Sequence, residues 1–154
     1  MAKLKEGDKA PGFTAKDQEG NDISLSDSKG KTLVLYFYPQ DDTPTCTKEA
    51  CNFRDNYQAL LTKGISVVGV SFDTEKSHQK FIKKYNLPFP LISDPDKKII
   101  EAYGVWGEKT LFGRNYMGTL RTTFIIDGDG IIKHIIGKVD SGNASQQVLE
   151  LLNK

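Results

Sequence analysis

The chain has 154 residues, 21 Lys and Arg against 20 Asp and Glu, and a formal net charge of +1. That length suits one domain, taken as residues 1–154, with a sizeable core. Mixed signs along the chain argue against nucleic acid or an anionic membrane as partner, and no apolar run nears the ~20 residues that span a bilayer.

The charged start, Met1 to Asp8, lacks the apolar stretch of a signal peptide, so the expected location is cytoplasmic. Phe13–Asp17 and Asp22–Leu25 read as a small N-terminal hairpin covering a sheet edge, and Ser26–Lys31 as a polar connector. Leu33–Tyr38 is a continuous apolar and aromatic run, the pattern of a strand buried on both faces. Pro39, with no N–H to give to a ladder, stops it. After the polar turn Gln40-Asp41-Asp42, Thr43 suits a helix N-cap and Pro44 the first helical position. This helix runs to about Thr62 and ends at Gly64. Cys46, Ala50, Phe53, Tyr57, Leu60 and Leu61 form its apolar stripe.

Ile65–Phe72 reads as a second buried strand. A helix starting at Asp73–Lys76 turns Phe81, Ile82 and Tyr85 inward and leaves Lys76, Lys80, Lys83 and Lys84 to solvent. Leu87–Ser93 carries two prolines and reads as a short strand, at an edge or irregular at its start. Asp94–Asp96 opens a short helix through Ile99, Ile100 and Tyr103. Gly104–Leu120 reads as an irregular aromatic loop, with Trp106 and Phe112 shielding a pocket, docking a partner or packing beneath the loop. Arg121–Ile126 and Ile131–Ile136 flank Asp127-Gly128-Asp129-Gly130, a hairpin turn that lacks the remaining ligands of a calcium loop. A last helix begins at Asn143–Ser145, with Val148, Leu151 and Leu152 inward. Alternating strands and helices followed by a hairpin predict an α/β fold, a mixed sheet with helices on both faces.

Two cysteines are too few for a disulfide scaffold and point to catalysis or metal binding. Metal is the weaker reading, since only His78 and His134 could join them and neither lies at ligand spacing; both are read as surface or sheet residues. Cys46 falls in the first helical turn, where orphan N–H groups and the helix dipole favour negative charge and hence the nucleophilic thiolate. A lone cysteine on an apolar stripe is more often a small core residue. Its place in the first turn, at the C-terminal end of a buried strand and close to a second cysteine, favours a reactive thiol. Cys51 follows five residues later, about 7.5 Å along an intact helix and about 140° around it. Their Cα atoms then lie roughly 8–9 Å apart, beyond the ~7 Å reach of a disulfide, so pairing requires the first turns to unwind. Spacing alone leaves Cys51 as either that partner or an idle thiol.

Pro39-Gln-Asp-Asp-Thr43-Pro-Thr-Cys46 resembles the Pro-x-x-x-Thr-x-x-Cys signature of the peroxiredoxins, cysteine-dependent peroxidases on a thioredoxin-like fold. Cys46-Thr-Lys-Glu-Ala-Cys51 and the distant Arg121-Thr-Thr-Phe-Ile-Ile-Asp127 resemble the subgroup called bacterioferritin comigratory protein or peroxiredoxin Q. That subgroup usually has lysine where Gln40 stands and glycine where Thr45 stands, which changes side chains at the pocket rim. The resemblance implies Cys46 as the peroxidatic cysteine and Cys51 as the resolving one, joined in an intramolecular disulfide. It also implies Thr43, Pro39 and Arg121 around the sulfur, with Glu49 orienting the arginine or capping the helix. Arg54 reads as a partner for Glu49. The expected substrates are hydrogen peroxide and organic hydroperoxides, the reductant thioredoxin or a similar dithiol, and the state monomer or weak dimer, with no cofactor. A thiol–disulfide oxidoreductase or a non-enzymatic redox sensor would use the same residues differently.

Overall fold

The computed structural model describes residues 4–153, so part of the charged start lies outside the described residues. In chain order the elements are β1 (Thr14–Lys16), β2 (Asp22–Ser24), β3 (Thr32–Phe37), α1 (Pro44–Thr62), β4 (Ile65–Ser71), α2 (Glu75–Tyr85), β5 (Leu91–Ser93), α3 (Lys98–Ala102), β6 (Trp106–Leu111), β7 (Arg114–Thr119), β8 (Thr122–Ile126), β9 (Ile132–Ile136) and α4 (Ala144–Leu152). Seven strands form one mixed sheet in the order β2-β1-β5-β4-β3-β8-β9.

β3 is central because both its faces are apolar. Leu33 to Tyr38 are each 1% exposed or less, and burying each such side chain stabilises the fold by roughly 1.5–3 kcal/mol. It pairs in parallel with β4 and antiparallel with β8, where Phe37 lies opposite Thr122. Side chains alternate between two cores. Val34 and Tyr36 meet Phe53 of α1, Phe81 of α2 and Val148 of α4, while Leu33, Leu35 and Phe37 meet Ile99 and Ile100 of α3 and Tyr103 just beyond it. Helices therefore flank the mixed sheet, as expected. The N-terminal hairpin is present, with Ala15 opposite Ile23, and it extends the sheet through a Lys16–Ser93 pairing. Among the described residues no helix is long and apolar enough to cross a membrane.

Of the two readings of Leu87–Ser93 the irregular start holds: β5 lies between β4 and β1, and Pro88 and Pro90 precede its ladder rather than interrupt it. Two expectations are corrected. Leu61 is 43% exposed while Leu60 is fully buried, because one residue is a step of about 100° around an α-helix and carries Leu61 off the buried face. The segment from Gly104 to Leu120 is no irregular loop. β6 and β7 pair from Trp106↔Thr119 to Leu111↔Arg114 as a separate two-stranded ribbon. Its turn is Phe112-Gly113, with φ of 52° and 78°. Positive φ at both central positions is the type I′ geometry normally signalled by Asn-Gly, and a phenylalanine in that place conceals it. Phe112 is 96% exposed at the tip, and Trp106 packs edge-on against Phe72 with ring centroids 6.1 Å apart.

Gly69 in the middle of β4 makes room for this packing. A Cβ there would lie 2.7 Å from Leu91 Cδ2 and 2.9 Å from Tyr36 Cζ. Tyr36 has no space to yield, since its ring sits 4.9 Å from Phe53 and 5.5 Å from Tyr38, centroid to centroid. Gly69→Ala is expected to lower stability by about 1–3 kcal/mol through overpacking, read as a lower urea midpoint at an unchanged m-value.

Candidate active site

The site is assembled where β3 ends, α1 begins and β8 starts. Thr43 has the extended backbone of an N-cap (φ −85°, ψ 155°) and Pro44 holds the first helical position. The first helical bond runs from the Thr47 N–H to the Thr43 carbonyl. The Thr43 hydroxyl does not cap the helix; it donates to the Gln40 carbonyl at 3.3 Å. The N–H groups of Thr45 and Cys46, ahead of that first bond, thus have no side-chain cap and lie at the positive end of the helix dipole. Such a helix start favours an anion.

Cys46 is buried, its thiol free. Antiparallel pairing of β3 with β8 brings Arg121, the residue before β8, to the start of α1. One guanidinium then bridges two positions on one face of the helix. Nη2 donates to Cys46 Sγ at 3.1 Å and Nη1 to Glu49 Oε1 at 2.7 Å. Cys46 and Glu49 are three residues apart, which places them on adjacent turns, and the planar fork of arginine matches that spacing. Glu49 is 0% exposed. Burial pushes its carboxyl up to about 7, against the pull of the Arg121 charge and hydrogen bond. Arg121 is itself partly buried, which opposes its charge, but Cys46 and Glu49 together hold its pKa above the ordinary value. The upward direction for Glu49 has a structural cause: Oε2 is buried without a partner.

Of the remaining candidates, Pro39 is half-buried at the exit of β3 and Thr45 is exposed at the rim, as is Gln40. Cys51 lies on the same unbroken helix, half-buried and free, so the two thiols are not paired. Arg54 does not meet Glu49; it binds Asp55 and the Tyr85 carbonyl.

The sequence reading missed three neighbours of the site. His78 is fully buried, a correction to its reading as a surface or sheet residue. Its Nε2 donates to the Ile92 carbonyl at 2.9 Å and its Nδ1 lies 2.7 Å from Asp41 Oδ2. The signal was present: His78, Phe81, Ile82 and Tyr85 share one helical stripe. Lys109 of β6 is half-buried, with Nζ on the Thr119 carbonyl at 3.1 Å. Burial lowers its pKa, the Arg121 charge lowers it further and Cys46 opposes both. The Tyr36 hydroxyl is buried without a partner, and its pKa is raised by burial, then by Glu49 and Cys46.

Asp41, Asp73 and His78 form a cluster of potential metal ligands whose donor atoms lie within 4.8 Å of one another. Protein donors already engage it. Asp41 takes hydrogen bonds from Tyr38 and Ser77 as well as its contact with His78, and Asp73 Oδ2 takes them from Ser71 and the Asp41 N–H. A cavity of about 870 Å³ lies away from Cys46, between the N-terminal hairpin and the Asp127–Gly130 turn. A smaller one of about 510 Å³ is lined by Arg121 and Lys109 together with Tyr103, Val105 and Leu120. Arg121 lines the second, but Tyr103, Val105 and Leu120 belong to the core on the α3 face of the sheet, whereas Cys46 lies in the core on the α1 face.

A thiol, an arginine bonded to it and a free helix start can together stabilise negative charge on sulfur and on an oxygen bound beside it. The chain matches the family model described as the AhpC/TSA family over residues 6–135. It is 53% identical over 133 residues, 86% of this chain and 88% of the relative, to the putative peroxiredoxin bcp of Coxiella burnetii. Among solved structures, a PrxQ mutant from Xylella fastidiosa aligns with a TM-score of 0.92 at 30% identity, covering 99% of this chain and 98% of that one. The bacterioferritin comigratory protein of Xanthomonas campestris, described for its alkyl peroxide reduction activity, aligns with a TM-score of 0.85 at 33% identity over 92% and 90% of the two chains.

The raised pKa of Glu49 has a thermodynamic consequence. The folded state holds that proton more tightly than the unfolded chain, whose ordinary value is 4.5. The contribution of Glu49 to stability is therefore fully present below about pH 4.5 and is lost as pH rises through about 7. Glu49→Gln is expected to flatten the fall in urea midpoint across that window; an unchanged slope would place the titration elsewhere.

Proposed function

We propose a catalytic cycle on one premise: this chain belongs to the AhpC/TSA family, is a peroxiredoxin of the Bcp/PrxQ kind, and is a thiol-dependent peroxidase. In the first step the Cys46 thiolate attacks one oxygen of a hydroperoxide. The O–O bond breaks, the sulfur becomes a sulfenic acid, and the other oxygen leaves as an alcohol or water after taking a proton. Negative charge spreads over sulfur and both oxygens along that line. Arg121 Nη2, already on the sulfur at 3.1 Å, and the Cys46 N–H stand ready to receive it. The Arg121–Cys46 contact carries this reading.

Glu49 acts through Arg121, fixing the guanidinium in the plane that serves Cys46. Pro39 excludes water by its shape. The Thr43 hydroxyl exchanges its long bond to Gln40 for the peroxide, since a 3.3 Å contact is weakly held. Hydrogen peroxide and organic hydroperoxides both serve as substrates, the latter in line with the alkyl peroxide reduction activity named for the Xanthomonas relative. Cys51 then attacks the Cys46 sulfenic sulfur, the S–O bond breaks, and the hydroxyl leaves as water with the thiol proton. Thioredoxin or a similar dithiol, acting in the cytoplasm on a monomer or weak dimer, reopens the disulfide by exchange.

Stopped-flow oxidation of the reduced chain by one equivalent of hydrogen peroxide, followed by a thiol count, tests the cycle. The expected result is oxidation orders of magnitude faster than free cysteine, with both thiols lost within one chain. A rate no faster than free cysteine would leave thiol exchange or redox sensing as the use of this site. Arg121→Ala is expected to slow the first step by about 10²–10³, the cost of removing one preorganised donor. Cys51→Ser is expected to keep that step rapid but to accumulate sulfinic acid at Cys46. Turnover of Cys51→Ser with thioredoxin at the parent rate would remove Cys51 from the cycle.

A further inference from the structure

A second cation stands near Arg121 with no anion of its own. Lys109, in β6, is half-buried, and its Nζ has one protein partner, the Thr119 carbonyl at 3.1 Å. Among the described residues no Asp or Glu pairs with it. Strand pairing sets Lys109 opposite Tyr116, yet the ammonium reaches Thr119, three residues nearer the foot of the ribbon. Gly118 leaves room for that course, since a Cβ there would lie 3.0 Å from Lys109 Cδ. Burial and then the Arg121 charge work against this ammonium, with Cys46 opposing both. A half-buried cation beside a like charge is costly until an anion joins it.

Arg121 has capacity left as well. A guanidinium carries five N–H donors. Glu49 Oε1 and Cys46 Sγ take two, and the other three meet no acceptor among the described residues. Lys109 and Arg121 line one cavity of about 510 Å³, a volume typical of small-molecule sites. The other side chains around it are apolar or already bonded. Val105 and Leu120 supply hydrocarbon, the Tyr103 hydroxyl donates to the Pro11 carbonyl at 2.8 Å, and the Thr122 hydroxyl donates to the Leu120 carbonyl at 3.0 Å. Two cations are thus the unsatisfied polar groups of an otherwise apolar wall.

We propose that this cavity binds an aliphatic carboxylate of medium chain length, its carboxylate between Lys109 Nζ and the free edge of Arg121 and its chain against Val105 and Leu120. Two carboxylate oxygens offer about four lone-pair sites, enough for both cations. The site is separate from the place where peroxide meets Cys46, because its walls belong to the α3 face of the sheet and Cys46 to the α1 face. Arg121 is the residue the two share. An anion on its free edge offsets the positive charge that favours the thiolate, so occupancy slows peroxide attack. This coupling rests on the peroxidase reading; the binding itself does not.

Titration of the reduced protein with sodium octanoate, followed by residue-resolved amide NMR, tests the site. Saturable shifts are expected at Val105, Lys109 and Leu120. Octanoate is expected to bind at least about tenfold more tightly than butanoate, since each buried methylene adds roughly fourfold, and more tightly than octan-1-ol. Lys109→Met, which keeps the stem and drops the charge, is expected to weaken octanoate about tenfold or more, the worth of a hydrogen bond to a charged group; Lys109→Arg is expected to retain most of the affinity. Saturating octanoate is expected to slow oxidation of the parent by hydrogen peroxide about fivefold or more. Absence of shifts, octan-1-ol binding as tightly as octanoate, equal affinity in Lys109→Met, or shifts centred on residues 43–50 beside the thiol would each overturn the site. Binding that leaves the oxidation rate unchanged would overturn the coupling alone, and oxidation no faster than free cysteine would overturn the peroxidase reading while the NMR titration still decides the site. Should Lys109→Met fail to fold, octanoate against octan-1-ol on the parent decides it.

Discussion

A single guanidinium holds this site together. Arg121 reaches across 75 residues of sequence to Cys46 and across 72 to Glu49, and it does so because β3 and β8 are antiparallel neighbours with their site ends aligned. Two acceptors three residues apart on a helix and two donors on one planar group fix each other's positions. Arginine stays charged at every relevant pH, so the sulfur keeps a permanent cation beside it. The arrangement costs the burial of Glu49 with one oxygen unpartnered, which explains why that carboxyl holds its proton to about pH 7.

The surroundings of the fork divide into rigid and releasable parts. Tyr36, Phe53, Tyr38 and Phe89 pack ring on ring beneath the middle of α1, and the absence of a side chain at Gly69 lets Tyr36 lie flat against β4. Asp41, Asp73 and His78 form a buried polar knot in which each group has a protein partner, the condition for such a network to stiffen the loop it occupies. The first turns of α1 have neither aromatic packing of this density nor a side-chain cap. Cys46, Glu49 and Ala50 are nonetheless buried there, so this segment is held by packing and by the Arg121 fork rather than by a cap.

Much of this was legible because it is local. The run Leu33–Tyr38 is apolar on both faces and could only be a central strand. Thr43-Pro44 marks a helix start from backbone chemistry alone, so the first-turn position of Cys46 and its separation from Cys51 follow from helical pitch. His78 could have been found from its stripe. The β6–β7 ribbon could not easily have been, since its turn places Phe112 at a positive φ that sequence rules assign to Asn or Gly.

The sequence by itself determined the strand, the helix start, the two thiols and the distance that keeps them apart while the helix is whole, because each depends on residues within a few positions of one another. The segment opening at Arg121 named the cation by resemblance, but only the tertiary structure decided that its guanidinium bonds the sulfur, that Glu49 is buried on it, that Asp41 and His78 are neighbours, and that the Asn52 side chain accepts from the Ser145 N–H of α4. Those contacts span about 37 to 93 residues, and what brings their ends together is strand pairing and helix packing, which no local pattern encodes.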